Sequence, residues 1–346
     1  MSQLQTLAGY FSDWAGTRPV RVAIADTVNA LADVSLTITD LLAKGALAGP
    51  LGRSTGKRGD FEEQKEIDVL ANDLVVAALR AVPVAAVASE EMDGSVLLNE
   101  KAPLLVAVDP LDGSSNIDAN ASIGMVFTVL PALQYNDDPA AFLQPGVNQL
   151  AGGFFVYGPQ TVLVVSVGAG TQIFTLDRQS ATFLLTHSKV EIPRSTSEYA
   201  INCSNARHWY EPVRMYVEDC NQGKPGPRGR DYNMRWTGSP VADFYRILSR
   251  GGIYLYPGDR RREFRHGRLR LIYEVNPFAW VIEQAGGMAS TGRERVLEIA
   301  PQGLHQRMPL IAGSRAEVNY VLQLHDGQQN KGERSPLFSR RGLLRF

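Results

Sequence analysis

Residues 102–116 read APLLVAVDPLDGSSN. The first seven residues form an apolar run short enough for a strand, and an aspartate follows at once. A second short run, VPVAAVAS (82–89), ends the same way, in Glu90 and Glu91. Acidic residues just past the C-terminal ends of strands are where α/β sheets build ligand sites. Asp109 and Asp112 stand three residues apart, and neighbouring carboxylates disfavour each other's ionisation unless a cation lies between them. Gly113, Ser114 and Ser115 do the opposite. Small residues let backbone N–H groups approach a ligand, and a helix beginning near Ser114 would add its positive end. Cation-demanding and anion-accepting groups so close together suit a metal-bridged phosphate. Taken alone, the octapeptide 109–116 reads more simply as an Asx-type turn with Asp112 capping a short helix.

The rest of the chain sets bounds. Its 346 residues are ample for two domains, and 44% hydrophobic content with a mean hydropathy of −0.13 describes a soluble globular protein. No apolar run approaches the ~18 residues that a membrane helix needs, and MSQLQTLAGYFSDWAG lacks the pattern of a secretory signal. Only Cys203 and Cys220 are present, so no disulfide framework is expected and a reducing cytoplasm is the default. A net charge of −1 argues against a dedicated nucleic-acid binder. The run RRREFRHGRLR (260–270), with six arginines, reads as a solvated face that also suits phosphate recognition.

Periodicity supplies the elements. Val20, Ile24, Val28, Leu31, Val34 and Ile38 recur at helical spacing over 20–45. LGRSTGKRGD (51–60) reads as a mobile surface loop, and an amphipathic helix follows with Asp68 and Asn72 four residues apart on one face. Five strand-like runs between 123 and 187 suggest a meander. After residue 195 strand-like and helix-like runs alternate as a second α/β unit up to 326. Residues 327–346 are polar and basic, and are expected to be a disordered tail.

Glu90, Asp109, Asp112 and Glu274 each fall at the expected end of an element. Hard oxygen donors of this kind suit magnesium or manganese; zinc would call for His and Cys partners. None of the five histidines has a partner at metal-site spacing, and no Ser-His-Asp set or G-x-x-x-x-G-K-[ST] loop is present. Singly, Glu90-Glu91 could be solvated and Glu274 an ordinary first-turn helix acid.

SEE (89–91), DPLDGSSN (109–116) and YEVNPFAWVIEQAGG (273–287) resemble the class I fructose-1,6-bisphosphatase family, within the inositol monophosphatase superfamily. IDVLAND (67–73), GSPVADFYRIL (238–248), GGIYLYP (251–257) and HQRMPLIAGS (305–314) extend the resemblance over nearly all of 20–326, in the family's order. It implies a layered α-β-α-β-α sugar phosphatase fold with subdomains at 1–195 and 196–326. The implied reaction is hydrolysis of the 1-phosphate of fructose 1,6-bisphosphate, in gluconeogenesis or the Calvin cycle, with two or more Mg2+ per subunit and Mn2+ as a substitute.

Carried over residue by residue, Glu90, Asp109, Asp112, Glu274 and the Leu111 carbonyl become metal ligands. Glu91 becomes the acid that takes the proton of the attacking water, with Asp68 as its paired carboxylate. Asp112, Gly113, Ser114 and Ser115 cradle the 1-phosphate with Arg270. Asn202, Tyr256 and Arg235 match the 6-phosphate pocket, Arg235 reaching into a neighbouring subunit, which implies a homo-oligomer and by the family's habit a tetramer. Arg268 stands where the family usually has lysine, and Trp236 where it has tyrosine, so charge and stacking survive with different hydrogen bonds. The third-metal acid falls at Glu62 or Asp60. Relatives inhibited by AMP carry a Gly-Glu-Met/Leu-Thr turn and a Lys-Tyr pair. Here the early helix reads ALADVSLTITDLL (30–42), and the pair is Pro103 and Leu104.

Sedoheptulose 1,7-bisphosphate remains a second substrate of the same reading. A nucleotide or inositol phosphatase fits less well, because Arg235, Tyr256 and Arg268 anticipate a second phosphate. The reading from another class is a catalytically inactive metal or sugar-phosphate sensor, against which the full set of acids, Glu91 included, argues.

Overall fold

The structure is a computed structural model, and it describes residues 4–48, 54–58, 63–133 and 138–332. Its helices are α1 (Leu7–Ala15), α2 (Pro19–Lys44), α3 (Glu66–Leu79), α4 (Glu211–Asn221), α5 (Pro240–Arg250), α6 (Asn276–Gln284) and α7 (Arg315–Gly332). A short hairpin, β1 (Ser54–Arg58) with β2 (Glu63–Lys65), precedes α3. The large sheet contains β3 (Val84–Ser89), β4 (Ser95–Leu97), β5 (Leu104–Asp112), β6 (Ile123–Pro131), β7 (Ala151–Tyr157), β8 (Thr161–Ser166), β9 (Gln172–Asp177) and β10 (Thr182–His187). Its order is β10-β9-β8-β7-β6-β5-β3-β4, and only β3 and β5 run parallel. The smaller sheet has β11 (Glu198–Ala200), β12 (Asn233–Met234), β13 (Ile253–Tyr256), β15 (Met288–Ser290) and β17 (Leu310–Gly313), in the order β12-β11-β13-β17-β15. β14 (Leu269–Arg270) and β16 (Arg307–Met308) pair apart from it.

Side-chain alternation explains the layers. On one face of the large sheet, Ile123, Met125, Phe127 and Val129 of β6 meet Ile24, Val28 and Leu31 of α2 and Ile67 and Val75 of α3. On the other, Val126, Phe154, Val156, Val162 and Val164 meet Val241, Phe244 and Ile247 of α5 and Phe278, Val281 and Ile282 of α6. The same helices also bury Ala200, Tyr254, Leu310 and Ala312 of the smaller sheet, so α5 and α6 form a middle layer shared by both sheets. Val213 and Val217 of α4 and Val318 and Val321 of α7 close the far side. The result is the expected α-β-α-β-α stack.

The meander over 123–187 is five consecutive antiparallel strands, as its punctuation implies. Residues 54–58, read as loop, instead pair with 63–65. Helix α7 continues to Gly332, past the position at which the tail was set; residues 333–346, like Asp60 and Glu62, lie outside the described residues. Contrary to expectation, α2 has the length and apolar composition of a membrane span, but most of it is buried as a core helix between α1, α3 and the sheet. Both cysteines are free thiols; Cys203 is exposed and Cys220 is buried under α7.

Candidate active site

Parallel pairing of β3 and β5 puts Ser89 beside Val108, so both acidic strand ends emerge at one edge. The Glu90 N–H donates to the Val108 carbonyl at 3.0 Å and locks the two ends together. Strand alternation would send Asp109 and Asp112, three residues apart, to opposite faces. The structure shows a bulge between them: Asp109 lies opposite Val126 and Asp112 opposite Gly124, three steps on one strand against two on the other. The extra residue rephases the strand, so both aspartates face α5 and α6. α5 comes close because Gly124 lacks a side chain; a Cβ there would lie 2.9 Å from both Val241 methyls. The Val241 N–H, at the start of α5, donates to Asp112 Oδ2 at 3.3 Å.

Glu274 arrives from the other side. It sits in a π-turn, Leu271–Val275, that runs straight into α6, and the Arg270 N–H donates to its Oε2 at 2.6 Å. Carboxylate oxygens of Asp109, Asp112 and Glu274 lie within 4.8 Å of one another, and all three residues are buried. Burial, followed by the charges of Asp112, Glu274 and Glu91, holds the Asp109 carboxyl well above the usual carboxylate range; the Leu111 N–H, 3.0 Å from its Oδ1, opposes this. Three buried acids that resist joint ionisation, offering only oxygen donors, fit a hard divalent cation. Glu90 stands outside this trio, with its carboxylate paired to the Arg270 guanidinium.

The anion side is built on Gly113, whose φ of +79° is left-handed. The helix expected near Ser114 is only a three-residue 3-10 turn, Ser114–Asn116, so little macrodipole can accumulate. Its first N–H groups still lack partners within the turn, as at any helical start. Asn116 Nδ2 donates to the carbonyls of Gly113 and Gly238, and Lys65 Nζ donates to the Ser114 carbonyl at 3.1 Å. Gln64 and Lys65 also hold the expected acid pair. Gln64 Nε2 donates to Glu91 Oε2 at 2.5 Å, and the Lys65 N–H donates to Asp68 Oδ2 at 2.7 Å, which is also a helix-capping contact.

A second group forms a small pocket some way along the smaller sheet. Asn202, Tyr256 and Arg268 line it together with Asn205, Trp209 and Asp259. The Arg268 guanidinium lies over the rings of Phe264 (3.5 Å) and Tyr256 (5.8 Å), and Trp236 stacks on Tyr254. Arg235 is not in this lining; its half-exposed side chain points toward Glu198, 3.8 Å away. The sequence reading passed over Gln64, Lys65, Asn116 and His305, whose Nε2 meets the Met92 carbonyl beside Glu90-Glu91 at 2.9 Å. Asn116 and His305 fall within quoted motifs, DPLDGSSN and HQRMPLIAGS, but residue type alone gave neither a role, and no motif marks Gln64 or Lys65.

A layered α/β stack with buried carboxylates and a Gly-Ser-Ser turn at one strand edge defines a metal-dependent phosphatase of the sugar-phosphate type. The models named fructose-1-6-bisphosphatase N-terminal domain and C-terminal domain match residues 18–188 and 192–326. The class 1 fructose-1,6-bisphosphatase of Azorhizobium caulinodans is 53% identical over 320 residues, covering 91% of this chain and 98% of that protein. That of Rhodopseudomonas palustris strain BisA53 is 49% identical over the full length of both. The crystal structure of Leishmania major fructose-1,6-bisphosphatase in holo form superposes with a TM-score of 0.87 at 32% identity, covering 94% of this chain and 99% of that one. The chain belongs to the fructose-1,6-bisphosphatase family. Nothing in these likenesses supports the reading as an inactive sensor.

Proposed function

We propose that this chain hydrolyses the 1-phosphate of fructose 1,6-bisphosphate, leaving fructose 6-phosphate. The observation that carries the reading is the meeting of Asp109, Asp112 and Glu274 within 4.8 Å, on the edge that also bears the Gly113-Ser114-Ser115 turn. The three carboxylates, joined by Glu90 and the Leu111 carbonyl, would hold Mg2+, with Mn2+ as a substitute. Bound there, a divalent ion neutralises phosphoryl oxygens and lowers the pKa of an attacking water. The turn's N–H groups and hydroxyls receive the 1-phosphate, and Arg270 adds its charge. Glu91, kept in position by Gln64, takes the proton of the water, and Asp68, held by the N–H of the adjoining Lys65, serves as its paired carboxylate, which favours a base working close to neutrality.

Asn202, Tyr256 and Arg268 receive the 6-phosphate, and their common pocket supports this. Arg235 lies outside that lining, which supports its service to a neighbouring subunit in a homotetramer. We infer a cytoplasmic enzyme of gluconeogenesis or carbon fixation, with sedoheptulose 1,7-bisphosphate as a second substrate. Phosphate release from each bisphosphate, with and without Mg2+, tests the reading. Magnesium-dependent formation of fructose 6-phosphate is expected; no release from either substrate at any Mg2+ or Mn2+ concentration would overturn it.

A further inference from the structure

Beyond the phosphate-binding turn, the stretch 117–123 leading into β6 lines a different space. A pocket of about 360 Å3 opens there among the described residues, between the end of α2 and the edge of the large sheet. Thr39 of α2, Tyr157 at the end of β7 and Thr161 at the start of β8 all line it. Thr39 Oγ1, Tyr157 OH and Thr161 Oγ1 are buried and have no hydrogen-bond partner among the described residues. These residues are only 7%, 6% and 1% exposed, so bulk water does not solvate them. Leaving one buried hydroxyl unsatisfied costs roughly 1–3 kcal/mol, and three around one space is an expensive arrangement if the fold alone is served. Valine and phenylalanine would fill the same volumes without that cost.

The rest of the lining adds a charge and an apolar wall. Arg178, just past β9, brings a guanidinium to the rim, and no ion pair among the described residues holds it. Leu42 and Ile117 supply apolar surface. The size lies in the range of small-molecule sites. We propose that this pocket binds a small hydroxylated organic anion, its carboxylate or phosphate meeting Arg178 and its hydroxyls meeting Thr39, Tyr157 and Thr161 once these side chains shift to open their oxygens to the space. The wall from Ile117 to Ile123 continues directly from the Gly113–Asn116 turn, so an occupant would sit against the back of the phosphate-binding stretch.

Glycerate and glycerol 3-phosphate are suitable probes, since both carry two hydroxyls and they differ in the anion. Titration calorimetry on the full, magnesium-loaded chain compares wild type with Arg178→Ala, Thr161→Val and Tyr157→Phe, each first checked for its melting transition. At least one probe is expected to bind wild type, and Arg178→Ala and one hydroxyl variant to weaken it by about tenfold or more. Catalytic constants without probe should stay unchanged, which separates this pocket from the active site. The stronger probe reports whether carboxylate or phosphate is preferred. Binding equal in wild type and every folded variant would put the probe elsewhere and overturn the proposal. So would no binding of either probe to wild type, or a probe-soaked crystal with only water in the pocket.

Discussion

Glu91 accepts a hydrogen bond from Gln64 and adds its charge to the field that Asp109 feels, yet it does not belong to the trio of Asp109, Asp112 and Glu274. That position suits a base better than a ligand. Glu91→Gln should lower kcat by about 10²–10⁴-fold, the usual contribution of a placed proton acceptor, with KM and the magnesium midpoint nearly unmoved. Steady-state rates across a magnesium titration check this; activity within a few-fold of wild type would remove Glu91 from the role. Asp112→Asn should behave differently. It deletes one charge of the trio, so the magnesium midpoint should rise and kcat should fall together. Without metal, the variant should melt no lower than wild type, because one member of a buried acid trio that resists joint ionisation is gone. A magnesium titration identical to wild type would contradict the ligand assignment. The acids were legible because each is a hard donor at the end of a recognisable run. The groups that fix the site around them were not, since Gln64, Lys65, Asn116 and His305 bond to Glu91 and to the carbonyls of Ser114, Gly238 and Met92 across 27, 49, 122 and 213 residues.

Among the elements, the long periodic segments α2 and α3 and the five-strand meander were readable, because burial on one face imposes the period. The bulge at Asp109–Asp112 and the π-turn at Leu271–Val275 were not, although together they aim all three acids. Neither leaves a pattern in residue type; each is a phase error that tertiary packing fixes. α1 is too short for its period to stand out, and the turn at Ser114 stopped after one 3-10 turn. Helix α7 carries a group with a measurable signature. His325 lies against Gly292, and burial first, then the Arg293 charge, holds its imidazole below the usual range, with Asp326 opposing. The unfolded chain, with an ordinary value of about 6.5, therefore takes the proton first as pH falls. Stability is full above about pH 6.5 and is lost below it, until the folded value is also passed, at a slope of no more than ~1.4 kcal/mol per unit. Urea unfolding at about pH 7.5 and about pH 5.5 should show a smaller loss in His325→Gln than in wild type. Equal losses would show that His325 titrates alike in both states.

At the scale of the molecule, the family resemblance raises AMP as an effector, and the fold speaks against it. Leu104, where AMP-sensitive relatives have tyrosine, is fully buried at the start of β5 opposite Pro131, and Pro103 beside it has no N–H to donate. Each lost charge-assisted phosphate contact costs about 1.5–3 kcal/mol, so losing several removes useful affinity. Lys44, one alternative cation, is already paired with Asp40 at 2.6 Å. Activity at saturating magnesium and near-KM substrate should be little changed by AMP; cooperative inhibition at micromolar AMP would sink the idea.

The shared middle layer has a further consequence, for how such a chain can be cut and recombined. The two family models meet between residues 188 and 192, which invites treating the halves as exchangeable parts. They are not separable pieces. A fragment ending near residue 190 would lose α5 and α6, laying bare Val126, Phe154, Val156, Val162 and Val164 as one continuous apolar surface. Expressed alone it should aggregate, or recover solubility only when the complementary fragment is supplied in trans, and sedimentation of the separate and mixed fragments would tell. A change on α5 or α6 therefore reaches both sheets at once, and a chimera joined at this boundary keeps its middle layer only if both faces of those helices find matching partners.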